Sequence, residues 1–194
     1  TTFYYRISAV DNDGNEGDKT SDVSSLPHNT DGDYSLTFDG VDDYLEGSAS
    51  SDLTLTNDFS MSWWVNTSSN EMDFIFSLFN SSSQVFQYMF NMDSRKVYWL
   101  EPNATFEGNG AQYSDLQASS GIWTQFVCTY DGSTFNIYKD GAVDASRTVS
   151  ASLASGTFDK FRIGVSHGLG NYFTGYLDEV TIWNTALSSS EITA

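Results

Sequence analysis

Trp123-Thr124-Gln125-Phe126-Val127-Cys128-Thr129-Tyr130-Asp131-Gly132-Ser133-Thr134-Phe135-Asn136-Ile137-Tyr138-Lys139-Asp140-Gly141-Ala142-Val143 is the stretch that decides the fold. Apolar and polar residues alternate through Thr134–Tyr138, the period of a strand with one buried face. Asp140-Gly141 sits between Tyr138-Lys139 and Ala142-Val143 as a two-residue hairpin turn, because such turns need positive φ at both central positions. Asp131-Gly132 reads as a second turn. The same alternation runs outward in both directions, through Tyr34-Ser35-Leu36-Thr37-Phe38 and Phe59-Ser60-Met61-Ser62-Trp63, with Asp39-Gly40 as a further turn. Only Thr185–Thr193 suggests a helical turn, with Ser188 as cap and Glu191 three residues on. Many short strands with little helix predict an all-β sandwich or barrel of antiparallel sheets.

The 194 residues suffice for one domain with a substantial core and a small appendage, and aromatics make up 15% of them. Lys and Arg total 8 against 26 Asp and Glu, a formal charge of −18. That field repels phosphate backbones and anionic headgroups, so neither nucleic acid nor a membrane surface is an expected partner. It attracts cations, and calcium favours carboxylate and carbonyl oxygens. The single cysteine, Cys128, lies in a strand-like run and reads as a buried small side chain, with no intrachain disulfide available to it. His28 and His167 are isolated, which argues against zinc or a Cys-His pair. No apolar stretch approaches the roughly 20 residues of a membrane span. The N-terminal part divides into a hairpin at 1–27 and a linker at 28–33, followed by the main domain at 34–194. Asp11, Asp13 and Asn15 have the alternate spacing of a calcium loop but lack its glycine and closing glutamate, so they read as a turn.

Four motifs carry a resemblance. They are Leu36-Thr37-Phe38-Asp39-Gly40-Val41-Asp42-Asp43-Tyr44-Leu45, Phe59-Ser60-Met61-Ser62-Trp63-Trp64-Val65, the stretch quoted first, and Phe173-Thr174-Gly175-Tyr176-Leu177-Asp178-Glu179-Val180-Thr181-Ile182-Trp183-Asn184. In this order they resemble the laminin-G-like, concanavalin A-like jelly rolls of bacterial extracellular proteins. The first hairpin, with Tyr4-Tyr5-Arg6-Ile7-Ser8-Ala9-Val10, resembles the closing hairpin of a fibronectin type III domain. The resemblance implies a two-sheet antiparallel jelly-roll β-sandwich in a secreted or cell-surface protein, with the first and last strands of the roll side by side. It also implies a structural calcium ion held by Asp39, the Gly40 carbonyl and Asp178. Asp42 and Asp43 are lesser candidates, better read as solvated turn residues.

Glucanases of this fold place carboxylates at i, i+2 and i+4 on one strand face, in the pattern Glu-x-Asp-x-Glu, and the sequence has none. Asp178-Glu179 are adjacent and are expected on opposite faces. The expectation is therefore a non-catalytic module that binds a glycan or polysaccharide. The alternative is an adhesion or spacer domain of a multidomain surface protein, with a cell-surface protein as partner or none. Sugar sites pair an aromatic platform with polar edges, and the candidates are Trp99, Tyr113 and Tyr172, then Trp64 and Arg95. Tyr98-Trp99 and Trp63-Trp64 each put one ring on each face of a strand. Tyr113 falls in the long loop 101–121, and Tyr172 ends the loop Gly168-Leu169-Gly170-Asn171-Tyr172.

Overall fold

Alternating sequence of this kind can hide its apolar face only against a second sheet, and the computed structural model has that arrangement. It describes residues 3–5, 9–10, 23–25, 35–50, 53, 55, 58–83, 86–100, 105–106, 114–150 and 158–193. The strands in chain order are β1 (Phe3–Tyr5), β2 (Ala9–Val10), β3 (Val23–Ser25), β4 (Leu36–Asp39), β5 (Leu45–Ser48), β6 (Phe59–Asn66), β7 (Asp73–Phe79) and β8 (Phe86–Asp93). They continue with β9 (Lys96–Leu100), β10 (Thr105–Phe106), β11 (Thr124–Tyr130), β12 (Thr134–Lys139), β13 (Ala142–Ser150), β14 (Lys160–Ile163) and β15 (Thr174–Trp183), and among the described residues the one α-helix is α1 (Ser189–Ile192). The larger sheet has the order β10-β13-β12-β11-β6-β15, with β4 and β2 both paired to β15. The smaller sheet runs β5-β14-β7-β8-β9. β4 lies antiparallel to β15, so the first and last strands of the roll are neighbours as expected.

At the N-terminal end, β1 and β3 pair antiparallel, with Phe3 opposite Ser25. β2 leaves that pair and runs parallel to the end of β15, with Ala9 opposite Ile182. The turn at 11–17 and the stretch 28–33 lie outside the described residues.

The core is aromatic. Phe59, Trp63, Phe76, Phe90, Trp99, Phe126, Phe135, Phe161 and Phe173 are fully buried between the sheets. Burying one such side chain contributes about 1.5–3 kcal/mol, and a well-placed ring pair adds roughly 0.5–1.5 kcal/mol. On β6 the phase is plain: Met61, Trp63 and Val65 are buried in the core, while Ser60, Ser62, Trp64 and Asn66 take the outer face. Ser60 is nevertheless buried. Its hydroxyl donates to the Thr185 carbonyl at 2.8 Å and accepts from the Leu187 amide at 2.8 Å. The chain after β15 thus folds back across one end of the outer face, and the other end, toward Asn66, stays accessible. The Asp140-Gly141 turn has positive φ at both positions, 50° and 79°, the hairpin its sequence demands. Ser188 and Glu191 form the expected capping box on α1.

Candidate functional site

On the outer face of the larger sheet, adjacent strands bring side chains into rows. Tyr176 of β15 lies opposite Asn66 of β6 on one side and Thr37 of β4 on the other. The β11–β6 register, Thr124 opposite Val65, continues by one residue to set Trp123 opposite Asn66. The first row is therefore Trp123–Asn66–Tyr176–Thr37. Two residues along, Trp64 lies opposite Gln125 and Asp178, which gives a second row on the same face. Trp123 and Tyr176 keep 39% and 37% of their surface exposed, large values for aromatics, and their ring centroids are 6.3 Å apart at 54°. Beside the pair runs a groove of about 330 Å³ lined by Thr37, Phe38, Asn66, Thr67, Ser68, Gly121, Thr174, Gly175 and Tyr176. Its floor is held by the Thr67 hydroxyl, which donates to the Thr174 carbonyl at 2.6 Å and accepts from the Ser69 amide at 3.0 Å.

The sequence candidates are scattered by comparison. Trp64 belongs to this face, half-buried, as the alternation of β6 requires. Trp99 does not reach the surface: it is fully buried, stacks on Phe135 at 4.6 Å, and meets Phe59 and Tyr130 edge-on and tilted. Its neighbour Tyr98 takes the outward phase, so the platform expected at Trp99 is corrected to a core position. Arg95 has positive φ in the β8–β9 turn, and its guanidinium donates to the Ala118 carbonyl at 3.1 Å and to the Asn70 amide oxygen. It ties two loops together, which corrects its expected part in a platform beside Trp99. Tyr172 is half-buried on the other side of the roll, its ring 6.3 Å from that of Tyr44. There Arg162 lies over Tyr44 and Phe79 while its side chain bonds Glu46, so a protein cation already stands over one ring of this second aromatic pair. Tyr113, with most of the loop 101–121, lies outside the described residues.

The acidic residues also regroup. Thr174 pairs with Asp39, so Asp178 stands four residues further along β15, roughly 13 Å at the rise of a strand. Asp178 therefore does not converge on Asp39 and Gly40. Its Oδ1 accepts from the Glu179 amide at 2.8 Å instead. The residues that do converge on Asp39 are Asp42 and Asp43, with one carboxylate oxygen from each of the three within 4.8 Å of the others. Asp39 Oδ1 accepts from Val41 N at 2.8 Å and Asp43 Oδ2 from Asp39 N at 3.1 Å, which fixes the turn around Gly40. A calcium ion takes oxygens at 2.3–2.6 Å, so ligands of one ion lie up to about 5 Å apart. The three carboxylates fit that span.

A bulge in β15 alters the expected alternation. Asp178 pairs with Trp64 and Thr181 with Ser62, so one extra residue lies between them, and Glu179 takes φ 48°. Val180 packs against the core, and both Glu179 and part of Asp178 face water. The two carboxylates are thus not separated onto opposite faces. Elsewhere, burial raises the pKa of Asp73, offset in part by hydrogen bonds from Ser69 and Thr174, and it raises that of Asp144, offset by the Leu116 and Asp115 amides. Neither of these two lines the groove. The Cys128 thiol is fully buried, and that burial pushes its pKa well up, away from the reactive thiolate.

An antiparallel two-sheet roll closed by its first and last strands defines the lectin-like class of β-sandwich. The chain belongs to the concanavalin A-like lectin/glucanases superfamily, whose family model matches residues 39–193. No curated protein matches the sequence. Among solved structures, domain 4 of AbnA, an extracellular arabinanase from Geobacillus stearothermophilus, in complex with arabinotriose, is similar with a TM-score of 0.62 at 16% identity, covering 97% of this chain and 86% of that one. A heptameric SAP-like pentraxin from Limulus polyphemus is similar with a TM-score of 0.54 at 13% identity, covering 87% and 78%. The receptor binding domain of a botulinum neurotoxin mosaic serotype C/D gives a TM-score of 0.60 at 12% identity, covering 96% of this chain and 49% of that one. At these identities the likeness is one of fold.

Proposed function

We propose that this chain is a non-catalytic, extracellular glycan-binding module whose platform is Trp123, Tyr176 and Trp64. The observation that carries the reading is the exposed Trp123–Tyr176 pair beside a groove lined by uncharged residues. Sugars present an apolar C–H face and a rim of hydroxyls. Aromatic rings take the first, and the side chains of Asn66, Gln125, Thr37 and Asp178 around them are suited to the second. The arabinotriose in the similar arabinanase domain supports this class of ligand. Glycoside hydrolysis needs two carboxyls about 5–9.5 Å apart across the bond, one of them with a raised pKa. The groove lining holds no carboxylate; Asp73 stands behind the groove wall, buried and bonded to Ser69 and Thr174, and Asp144 lies away from it, so the reading is binding.

The test is a glycan array with the full chain, followed by titration of the best glycan against Trp123→Ala and Tyr176→Ala. Each substitution should weaken binding at least about tenfold with only a small fall in melting temperature, since more than a third of each residue is exposed. A blank array with a folded protein would reject the reading in favour of adhesion or spacing.

We also propose calcium at Asp39, Asp42 and Asp43, without Asp178. An ion that binds only the folded chain stabilises it by about 2.7 kcal/mol at a hundredfold excess over Kd. For a chain of this size that is roughly 5–10 °C in melting temperature, lost on adding chelator. Asp42→Asn with Asp43→Asn should abolish the chelator effect, and Asp178→Asn should leave it. A wild-type melting temperature indifferent to both calcium and chelator would remove the ion from the account.

A further inference from the structure

We infer that the groove selects neutral glycans over acidic ones, an inference that rests on the platform reading above. Every residue lining the groove is uncharged. Carboxylates stand at its margins. Asp178 sits in the second row beside Trp64, and Asp39, on the same strand face two residues beyond Thr37, brings Asp42 and Asp43 with it. No described cation lines the groove. Arg95 is on Asn70 and Ala118, Lys96 stands opposite Asp93 in the smaller sheet, Lys139 is on Asp140, Arg147 on Asp115, and Lys160 and Arg162 share Glu46. A uronate or sulfate group laid along the groove would meet two or three carboxylates within a Debye length and no cation among the lining residues to pair with. The net charge of −18 adds a long-range repulsion of the same sign. At low salt the combined penalty amounts to about tenfold or more in affinity.

The experiment is titration calorimetry on the full chain, in chelator at 20 mM salt, so that the acidic loop carries its whole charge. The neutral probes are linear arabinan, xylan and β-glucan hexasaccharides, and the acidic probes are hexagalacturonate and a heparin hexasaccharide. At least one neutral probe should bind, with both acidic probes at least about tenfold weaker. Raising salt to about 0.5 M should narrow that gap by strengthening the acidic probes while the neutral affinity stays level. Asp178→Asn, which keeps an acceptor for the Glu179 amide, should also narrow it, and a merely structural Asp178 would not. An acidic probe that binds as tightly as any neutral one and is lost in Trp123→Ala would overturn the charge inference and leave the platform standing. Binding that survives both Trp123→Ala and Tyr176→Ala, or no binding by any probe, would overturn the platform and the inference together.

Discussion

Trp99→Ala is expected to destabilise the fold by about 3–5 kcal/mol, the range for removing a fully buried large aromatic. The ring stacks on Phe135 and touches Phe59 and Tyr130, residues of β12, β6 and β11, so it joins the end of the smaller sheet to the middle of the larger one. Truncation to Ala leaves a cavity that three strands in register cannot close without breaking ladder hydrogen bonds. In a chain of this length the loss corresponds to roughly 6–20 °C in melting temperature. Denaturant unfolding should show the lower midpoint with little change in slope. Trp99→Phe, which keeps a ring in the stack, should recover part of the loss. Below its new transition the Ala variant should bind glycan as the wild type does. An unchanged midpoint together with lost binding would instead put Trp99 in the site.

Gly175→Ala should cost roughly 2–4 kcal/mol although it adds one methyl group. Gly175 has φ 135°, a region almost reserved for glycine, and a Cβ there would lie 2.5 Å from the Asn66 carbonyl oxygen and 3.2 Å from Thr67 Cα. Backbone strain and overpacking each account for about 1–3 kcal/mol. The obstacles are backbone atoms of β6 and its following loop, which cannot rotate away as a side chain would. Gly132 is a matched control, with φ 91° and open space around it, so Gly132→Ala carries the strain without the clash. A larger loss at Gly175 than at Gly132 is the expected sign of the close approach. Equal losses would mean that the β15–β6 contact relaxes freely. Because Gly175 lines the groove, its Ala variant should also weaken glycan binding.

Much of the sandwich was legible because strand phase is a local property. The alternation that buries Met61, Trp63 and Val65 also sends Trp64 outward. The same rule, applied to β11 and β15, sends Trp123 out of phase with Phe126 and Cys128, and Tyr176 out of phase with Leu177. That phase was the signal for the platform, and it passed unread because both rings sit inside motifs that speak first for the fold. For Tyr98-Trp99, phase says that one ring is inside and one outside, and nothing local says which. The answer depends on where Phe135, Phe59 and Tyr130 stand in three other strands.

What the sequence by itself determined is therefore the class of fold, the strands with their Asp140-Gly141 hairpin, the neighbouring first and last strands, the capped final helix and a strongly anionic chain. The neighbouring strands are what the family resemblance implies; the others follow from periodicity, turn chemistry or composition. Tertiary structure alone decided which rings gather at the groove, that Asp39 meets Asp42 and Asp43 and not Asp178, and that Asp178 and Glu179 are not split between faces. These depend on strand register and on a bulge. A shift of one residue turns every side chain to the other face, and the register is set by long-range packing that no short stretch of sequence contains.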